Sequence, residues 1–286
     1  MVRKLSIILP ARNEATGLSQ LLPDLCNRYP DAEVIVVDDG SSDDTPAICR
    51  KHNVQVHRHP YGMGNGAAIK SGGRSARGDV LVFMDADGQH NPADIEKLLA
   101  KLDEGFDMVV GARDRASHAS VARWWANTLY NWFASWIVGH DIADLTSGFR
   151  VVTADKFRDL IHLLPNGFSY PTSITMGFFR AGYFVTYVPV QTKQRLGTSH
   201  IRPLRDGIRF LVIIFKIGTL YSPLKIFLPI SFAFFLTGSA YYAYTYMTQS
   251  RFTNMSALLF ITSVIVFLIG LISEQITTLV YGQKAK

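Results

Sequence analysis

Apolar residues fall in short, dense runs through the first two thirds of the chain and in two very long runs near its end. Residues 5–9, 34–37, 54–57, 80–84 and 108–111 are rich in Ile, Leu and Val with little of the polar alternation that a one-sided strand would show. They read as strands buried on both faces. Between them, residues 13–28, 45–51, 66–76 and 92–102 carry a helical pattern, clearest in Leu18, Leu21, Leu22 and Leu25. Pro46 suits the first turn of the second of these helices. Strands alternating with helices predict an α/β fold with a mainly parallel sheet. Ligands bind beyond the carboxyl ends of such strands, and this directs attention to the loops there.

The long runs have a different meaning. Residues 226–246 and 252–273 are uncharged stretches of 21 and 22 residues, and Arg251 is the one charged residue between 226 and 273. At about 1.5 Å per residue each would reach roughly 32 Å, enough to cross a hydrocarbon core of about 30 Å. The few residues between them predict a tight transmembrane hairpin. Arg202, Arg205, Arg209, Lys216 and Lys225 precede it and Lys284 and Lys286 follow it, so the positive-inside rule places both termini on the cytoplasmic side. Ile208, Leu211, Val212 and Phe215 recur on a helical period among those cations. This predicts an amphipathic helix in the membrane interface.

Composition sharpens the division. The 286 residues are 48% hydrophobic and 18% charged, with a formal net charge of +6, which excludes a disordered chain. Residues 202–225 hold five cations and one acid, so most of the excess charge sits beside the apolar runs and argues against a nucleic-acid partner. Cys26 and Cys49 are not spaced as metal ligands and fit a reducing compartment. The apolar stretch in residues 1–10 is too short for a cleaved leader and has no cleavage site.

Two of the predicted strands end in acids. Asp38 and Asp39 follow the second, and Asp85, Ala86, Asp87, Gly88 and Gln89 follow the fourth. Carboxylates one residue apart at a strand end can present oxygen ligands to a hard divalent cation, with a diphosphate completing its shell. The same residues also favour plain turns. Gly62, Gly64 and Gly66 would let backbone approach a ligand closely or form a flexible turn; their spacing is not the dinucleotide fingerprint.

Four motifs then occur in order: Ile8-Leu9-Pro10-Ala11-Arg12-Asn13-Glu14, Val37-Asp38-Asp39-Gly40-Ser41-Ser42-Asp43, Asp85-Ala86-Asp87-Gly88-Gln89 and Thr146-Ser147-Gly148-Phe149-Arg150. Together they resemble the family 2 glycosyltransferases of GT-A (Rossmann-like) fold, and within them the polyprenyl-phosphate, dolichol-phosphate mannose synthase-like enzymes. The resemblance covers about residues 4–200. It implies that Pro10, Ala11, Asn13 and Glu14 line the base and ribose, with Asp39 on the base and Asp85 and Ala86 near the ribose or diphosphate. It further implies Asp87 and Gln89 as ligands of Mg²⁺ or Mn²⁺.

On the acceptor side, Arg suits bidentate phosphate binding. Arg113, Arg115, Arg123 and Arg150 are the candidates, and the resemblance points most clearly to Arg113 and Arg123. It also sets Ser147 and Arg150 toward sugar and acceptor. Arg195-Leu196-Gly197-Thr198-Ser199-His200 is similar to the family's Arg-x-Gly-x-Ser-Lys signature. His200 stands there in place of Lys, so Arg195 is the stronger candidate.

The implied domain plan is a catalytic domain over 1–200, an interface segment over 201–223 and two transmembrane helices over 224–281. The implied reaction is inverting transfer of a sugar from GDP-mannose or a UDP-hexose to a polyprenyl phosphate at the cytoplasmic membrane face, with Asp87, Arg113 and Arg123 central. The aromatic stretch 124–136 is expected to lie at headgroup depth, and two spans per chain suit self-association. Two alternatives stand beside this reading. A processive polysaccharide synthase would carry Gln-x-x-Arg-Trp, but Ser120 occupies the Gln position before Arg123-Trp124. A catalytically silent sugar-nucleotide-binding membrane scaffold would not need the intact Asp85, Asp87 and Gln89 set.

Overall fold

The computed structural model describes residues 3–113, 121–167, 170–192, 215 and 218–282, with backbone alone for 121–127 and 280–282. Two compact units result. The first runs up to Trp136 and resumes at His140; the second joins Ile137–Gly139 to the C-terminal helices.

In the first unit, β1 (Leu5–Ala11), β2 (Glu33–Asp38), β3 (Gln55–Arg58), β4 (Val80–Phe83) and β5 (Met108–Arg113) form where the apolar runs predicted them. So do α1 (Ala15–Arg28), α2 (Thr45–Lys51), α3 (Asn65–Ser75) and α4 (Asp94–Asp103) between them. α5 (Val121–Val138), β6 (Arg150–Thr153), α6 (Ala154–Leu160), α7 (Tyr170–Arg180) and β7 (Val185–Val190) complete the unit. The seven strands lie in the order β3-β2-β1-β4-β6-β5-β7. β1 pairs in parallel with β2 and β4, β2 with β3, and β5 with β7, whereas β6 runs antiparallel to both β4 and β5. The mainly parallel α/β reading therefore stands, and β6 adds the antiparallel strand that the apolar pattern did not show.

Both faces of the sheet are covered, which explains the unbroken apolar strands. Ile7, Leu9, Val34, Val36, Val80 and Val82 join Leu18, Leu22, Ile95 and Leu98 in one buried cluster. On the other face α3 lies so close that a Cβ on Gly72 would stand 2.4 Å from Ile8 Cγ2. The aromatic stretch is helical in α5, with Tyr130 and Ala134 buried and Leu129, Trp132 and Trp136 exposed.

In the second unit, α8 (Pro223–Gln249) and α9 (Asn254–Gly282) are both long and apolar enough to cross a membrane. Core helices of soluble proteins are mostly buried; in these two only 17% of the apolar window is. They pack through small residues at seven-residue spacing: Ser231, Gly238 and Thr245 on α8, and Ser256, Ser263, Gly270 and Thr277 on α9. Ser231 Oγ donates to Ser263 O and Ser263 Oγ to Ser231 O, each at 2.9 Å, a reciprocal clasp of the kind that joins helices in lipid. Glu274, the first acid after the second apolar run, accepts from the Leu224 N–H at the start of α8 at 3.2 Å and so complements that helix terminus. The expected interface helix falls largely on residues outside those described, as do Lys284 and Lys286.

Candidate active site

The site grows from the carboxyl ends of β1, β2, β4 and β5. Beyond β1, Asn13 takes a left-handed backbone (φ 57°), donates its N–H to Ser41 Oγ at 2.9 Å and accepts the Ser42 N–H at 2.9 Å. The Glu14 N–H donates to Thr45 Oγ1 at 3.0 Å. The first two motifs are thus laced into one surface, and the Asp39 N–H reaches Ala11 O at 2.9 Å. Pro10 and Ala11 lie in β1 itself.

Asp39 is buried and accepts three hydrogen bonds, from His59 Nδ1, Met63 N and Gly64 N, each at 2.8 Å. Burial alone would raise its pKa, but the bonds from His59, Met63 and Gly64 outweigh it and hold the carboxyl below the usual range. Gly64 has φ 105°, a conformation that other residues adopt only under strain. Gly64 and Gly66 serve packing between backbones, while Gly62 lies against the Arg12 guanidinium: a Cβ on Gly66 would stand 2.0 Å from Pro165 O, and the Ala67 N–H donates to Asn166 O at 2.8 Å. The close approach expected there is to the protein's own 165–167 segment.

The acid segment after β4 is seated on α1, where Gly17 leaves no room for a side chain. A Cβ there would stand 2.3 Å from Ala86 O and 3.0 Å from Asp87 Cα. Asp87 Oδ1 accepts the Gln89 N–H at 3.1 Å, which orders the turn. Gly17→Ala is expected to displace this segment and cost about 1–3 kcal/mol, read as a lower Tm together with weakened nucleotide binding.

Across from it lies the fourth motif. A Cβ on Gly148 would stand 2.6 Å from Asp85 Oδ2, so glycine allows the two segments to touch. Arg113, at the end of β5, forms a bidentate pair with Asp144: Nε to Oδ2 at 2.8 Å and Nη2 to Oδ1 at 3.0 Å, with Nη2 also donating to Thr146 Oγ1. Asp144 Oδ1 further accepts the backbone N–H groups of Thr146 and Ser147 at 3.0 and 3.1 Å. Burial opposes the Asp144 charge, but Arg113 prevails and its carboxyl lies below the usual range.

Two of the residues expected on the acceptor side are buried. Ser147 is buried with its hydroxyl donated to Gly111 O at 2.7 Å. Arg150 is 0% exposed and donates to Ser147 O, to Pro171 O at 3.1 Å and to Thr175 Oγ1 at 3.1 Å, with its guanidinium 5.7 Å from the centre of the Tyr170 ring. Both hold the loop from within. Arg123 lies on the α5 backbone and its side chain is outside the described atoms; Arg115, Arg195 and His200 lie outside the described residues.

His90 was not singled out, although it directly follows Gln89. Its ring stacks on Phe149 with centroids 4.9 Å apart, joining the third motif to the fourth. Burial lowers its pKa to about 4. The unfolded chain, with a His pKa near 6.5, takes up this proton first, so stability falls as pH drops from about 6.5 to about 4 and then levels. A shift of that size amounts to about 3 kcal/mol at full effect. His90→Phe is expected to remove this slope from a plot of Tm against pH. His59 was also missed, though it stands just past the carboxyl end of a parallel strand.

Comparison with known proteins agrees with this architecture. Residues 6–161 match the model of glycosyl transferase family 2, and residues 222–279 match that of the GtrB C-terminal hairpin. Glycosyltransferase AglJ of Haloferax volcanii is 28% identical over 291 residues, covering 96% of this chain and 93% of that protein. The undecaprenyl-phosphate mannosyltransferase of Micrococcus luteus is 32% identical over 211 residues, covering 67% of this chain and 85% of that one. Among solved structures, glucosyl-3-phosphoglycerate synthase of Mycobacterium tuberculosis, in complex with Mn²⁺, UDP-glucose and phosphoglyceric acid, has a TM-score of 0.62 at 20% identity over 76% of this chain and 80% of that one. With more than half of its length matched by the family model, the chain belongs to glycosyl transferase family 2.

Proposed function

We propose that this chain transfers a sugar from a nucleotide-sugar donor to a polyprenyl phosphate at a membrane surface, with inversion at the anomeric carbon. The observation that carries this reading is the contact of the Asp85–Asp87 segment with Gly148, in a chain that also bears an apolar two-helix hairpin. The acceptor named for the Micrococcus relative supports it. The working division is a catalytic domain over 1–200, an interface segment over 201–223 and an anchor over 224–281. Flanking cations favour a cytoplasmic catalytic domain and cytoplasmic termini, and the exposed Trp132 and Trp136 suit headgroup depth.

In this reading Pro10, Ala11, Asn13, Glu14, Asp39, Asp85 and Ala86 line the nucleotide. Asp87, with Gln89, would hold a divalent cation, Mg²⁺ or Mn²⁺. The donor chemistry fits one: hard oxygen ligands follow a strand end, Asp87 just beyond β4 with Gln89 two residues on. Such a site leaves diphosphate oxygens and water to complete the shell. The cation would neutralise charge on the departing diphosphate.

A phosphate monoester oxygen is anionic near neutral pH, so the acceptor needs no strong base. What it needs is alignment and a cationic seat. Asp144 and Thr146 take the Nε and Nη2 donors of Arg113. Among the described residues nothing takes the two N–H groups of Nη1, which would serve a phosphate, in a side chain that keeps 30% exposure. Arg123, Arg115 and Arg195 are the further cations assigned to the acceptor. The test is release of nucleoside diphosphate by the detergent-solubilised full chain. The release is expected to require polyprenyl phosphate; equal release without it would point to hydrolysis or another acceptor.

A further inference from the structure

The bond pattern around Asp39 carries information about the donor base, given the reading above that Asp39 faces it. An ionised carboxylate offers about four acceptor positions. Oδ1 takes two bonds, from His59 Nδ1 and Met63 N, and Oδ2 takes one, from Gly64 N. Among the described residues nothing takes the remaining position on Oδ2.

The occupied positions are fixed by rigid parts. His59 is 4% exposed and is held from its other side by Ser71 Oγ, 2.9 Å from Nε2. An ionised carboxylate only accepts, so Nδ1 carries a proton whatever the charge on the ring. The Met63 and Gly64 N–H groups come from a turn whose Gly64 backbone other residues would strain to adopt. Tyr61 and Met63, in the same turn, are exposed by 66% and 39%, and the Asp39 backbone is bonded to Ala11 at the end of β1.

Bases differ in what they bring to a single acceptor. Uracil offers one ring N–H between two carbonyls. Guanine offers N1–H beside an exocyclic N–H on the same edge, a pair matched by both oxygens of a free carboxylate. We propose that Asp39, with His59 and the Met63–Gly64 backbone holding all but one of its acceptor positions, selects a uridine nucleotide over a guanosine nucleotide. Guanine would leave one donor without a carboxylate partner beside the buried Asp39, and such a mismatch is penalised. His59 is then a positioning residue for base choice.

The experiment is calorimetric titration of the detergent-solubilised full chain with UDP and with GDP, each with Mn²⁺. UDP is expected to bind at least about tenfold more tightly. His59→Phe removes one donor to Oδ1 and is expected to narrow the UDP-to-GDP ratio about tenfold, while His59→Gln, which restores an N–H, keeps it. A purely structural role for His59 would weaken both nucleotides together and leave the ratio unchanged, overturning that part of the proposal. GDP binding as tightly as UDP to the wild-type chain, a result independent of how any variant folds, would overturn it entirely while leaving the transferase reading intact. Binding of neither nucleotide would remove the nucleotide-donor reading and this inference with it.

Discussion

Asp87→Asn is expected to lower sugar transfer by about 10²–10³-fold, the scale on which loss of one well-placed electrostatic group acts in a transition state. The substitution isolates charge from shape. Asp87 Oδ1 accepts the Gln89 N–H, and an asparagine oxygen can accept the same bond, so the turn after β4 and the seat on Gly17 survive. What disappears is the negative charge that would hold a divalent cation against the departing diphosphate. The measurement is initial rate at saturating donor, alongside nucleotide titration with and without Mn²⁺. Cation-dependent tightening of binding should vanish, and the cation-independent component and Tm should remain. An unchanged rate would move the metal assignment away from Asp87.

Asp144→Asn should have the second largest effect, felt in stability as well as rate. Asp144 holds Arg113 by two bonds and caps the turn into the fourth motif through Thr146 and Ser147. Its side chain is 8% exposed against 30% for Arg113. Breaking such a pair leaves a poorly solvated guanidinium behind, at a cost of about 3 kcal/mol, the lower end for a buried pair because Arg113 keeps some contact with water. The pH dependence gives a second signature. The folded carboxyl lies below its usual value, so its contribution is complete above about pH 4, near the unfolded value. It is lost as pH falls through the lower folded pKa. The variant should be less stable than wild type at neutral pH, with the difference shrinking in acid. A constant gap across that range would mean that the pair adds no charge-dependent stability.

The strands most legible in the sequence were those whose physics is local. Residues 5–9, 34–37, 80–84 and 108–111 had to be buried on both faces, and each became a strand. β6 was invisible because its four residues begin with Arg150, whose charge reads as surface. Only tertiary structure supplies the carbonyls of Ser147 and Pro171 that let it be buried. β7 contains Pro189, which reads as a break. It is tolerated because β7 lies at the edge of the sheet. The hairpin was legible from length alone.

The candidate site shows the same division. Asp39, Asp85 and Asp87 stood out in the sequence because acids at strand ends are a local signal. Their partners were not, since His59 and Gly64 reach Asp39 across 20 and 25 residues. Gly148 meets Asp85 only because β6 runs antiparallel beside β4, with Phe83 opposite Arg150. The glycine cluster was expected to meet a ligand or form a flexible turn; the structure sets Gly64 and Gly66 against the 165–167 stretch of the same chain.

The most direct test is to incubate the detergent-solubilised full chain with polyprenyl phosphate, a divalent cation and α-linked UDP- and GDP-sugars, and to determine the mass and anomeric configuration of the lipid product. A β-linked sugar on a single lipid phosphate, formed from a UDP-sugar and lost in Asp87→Asn, is the predicted result. A polysaccharide, a diphosphate-linked lipid, an α-linked product or no lipid product from any donor would contradict it.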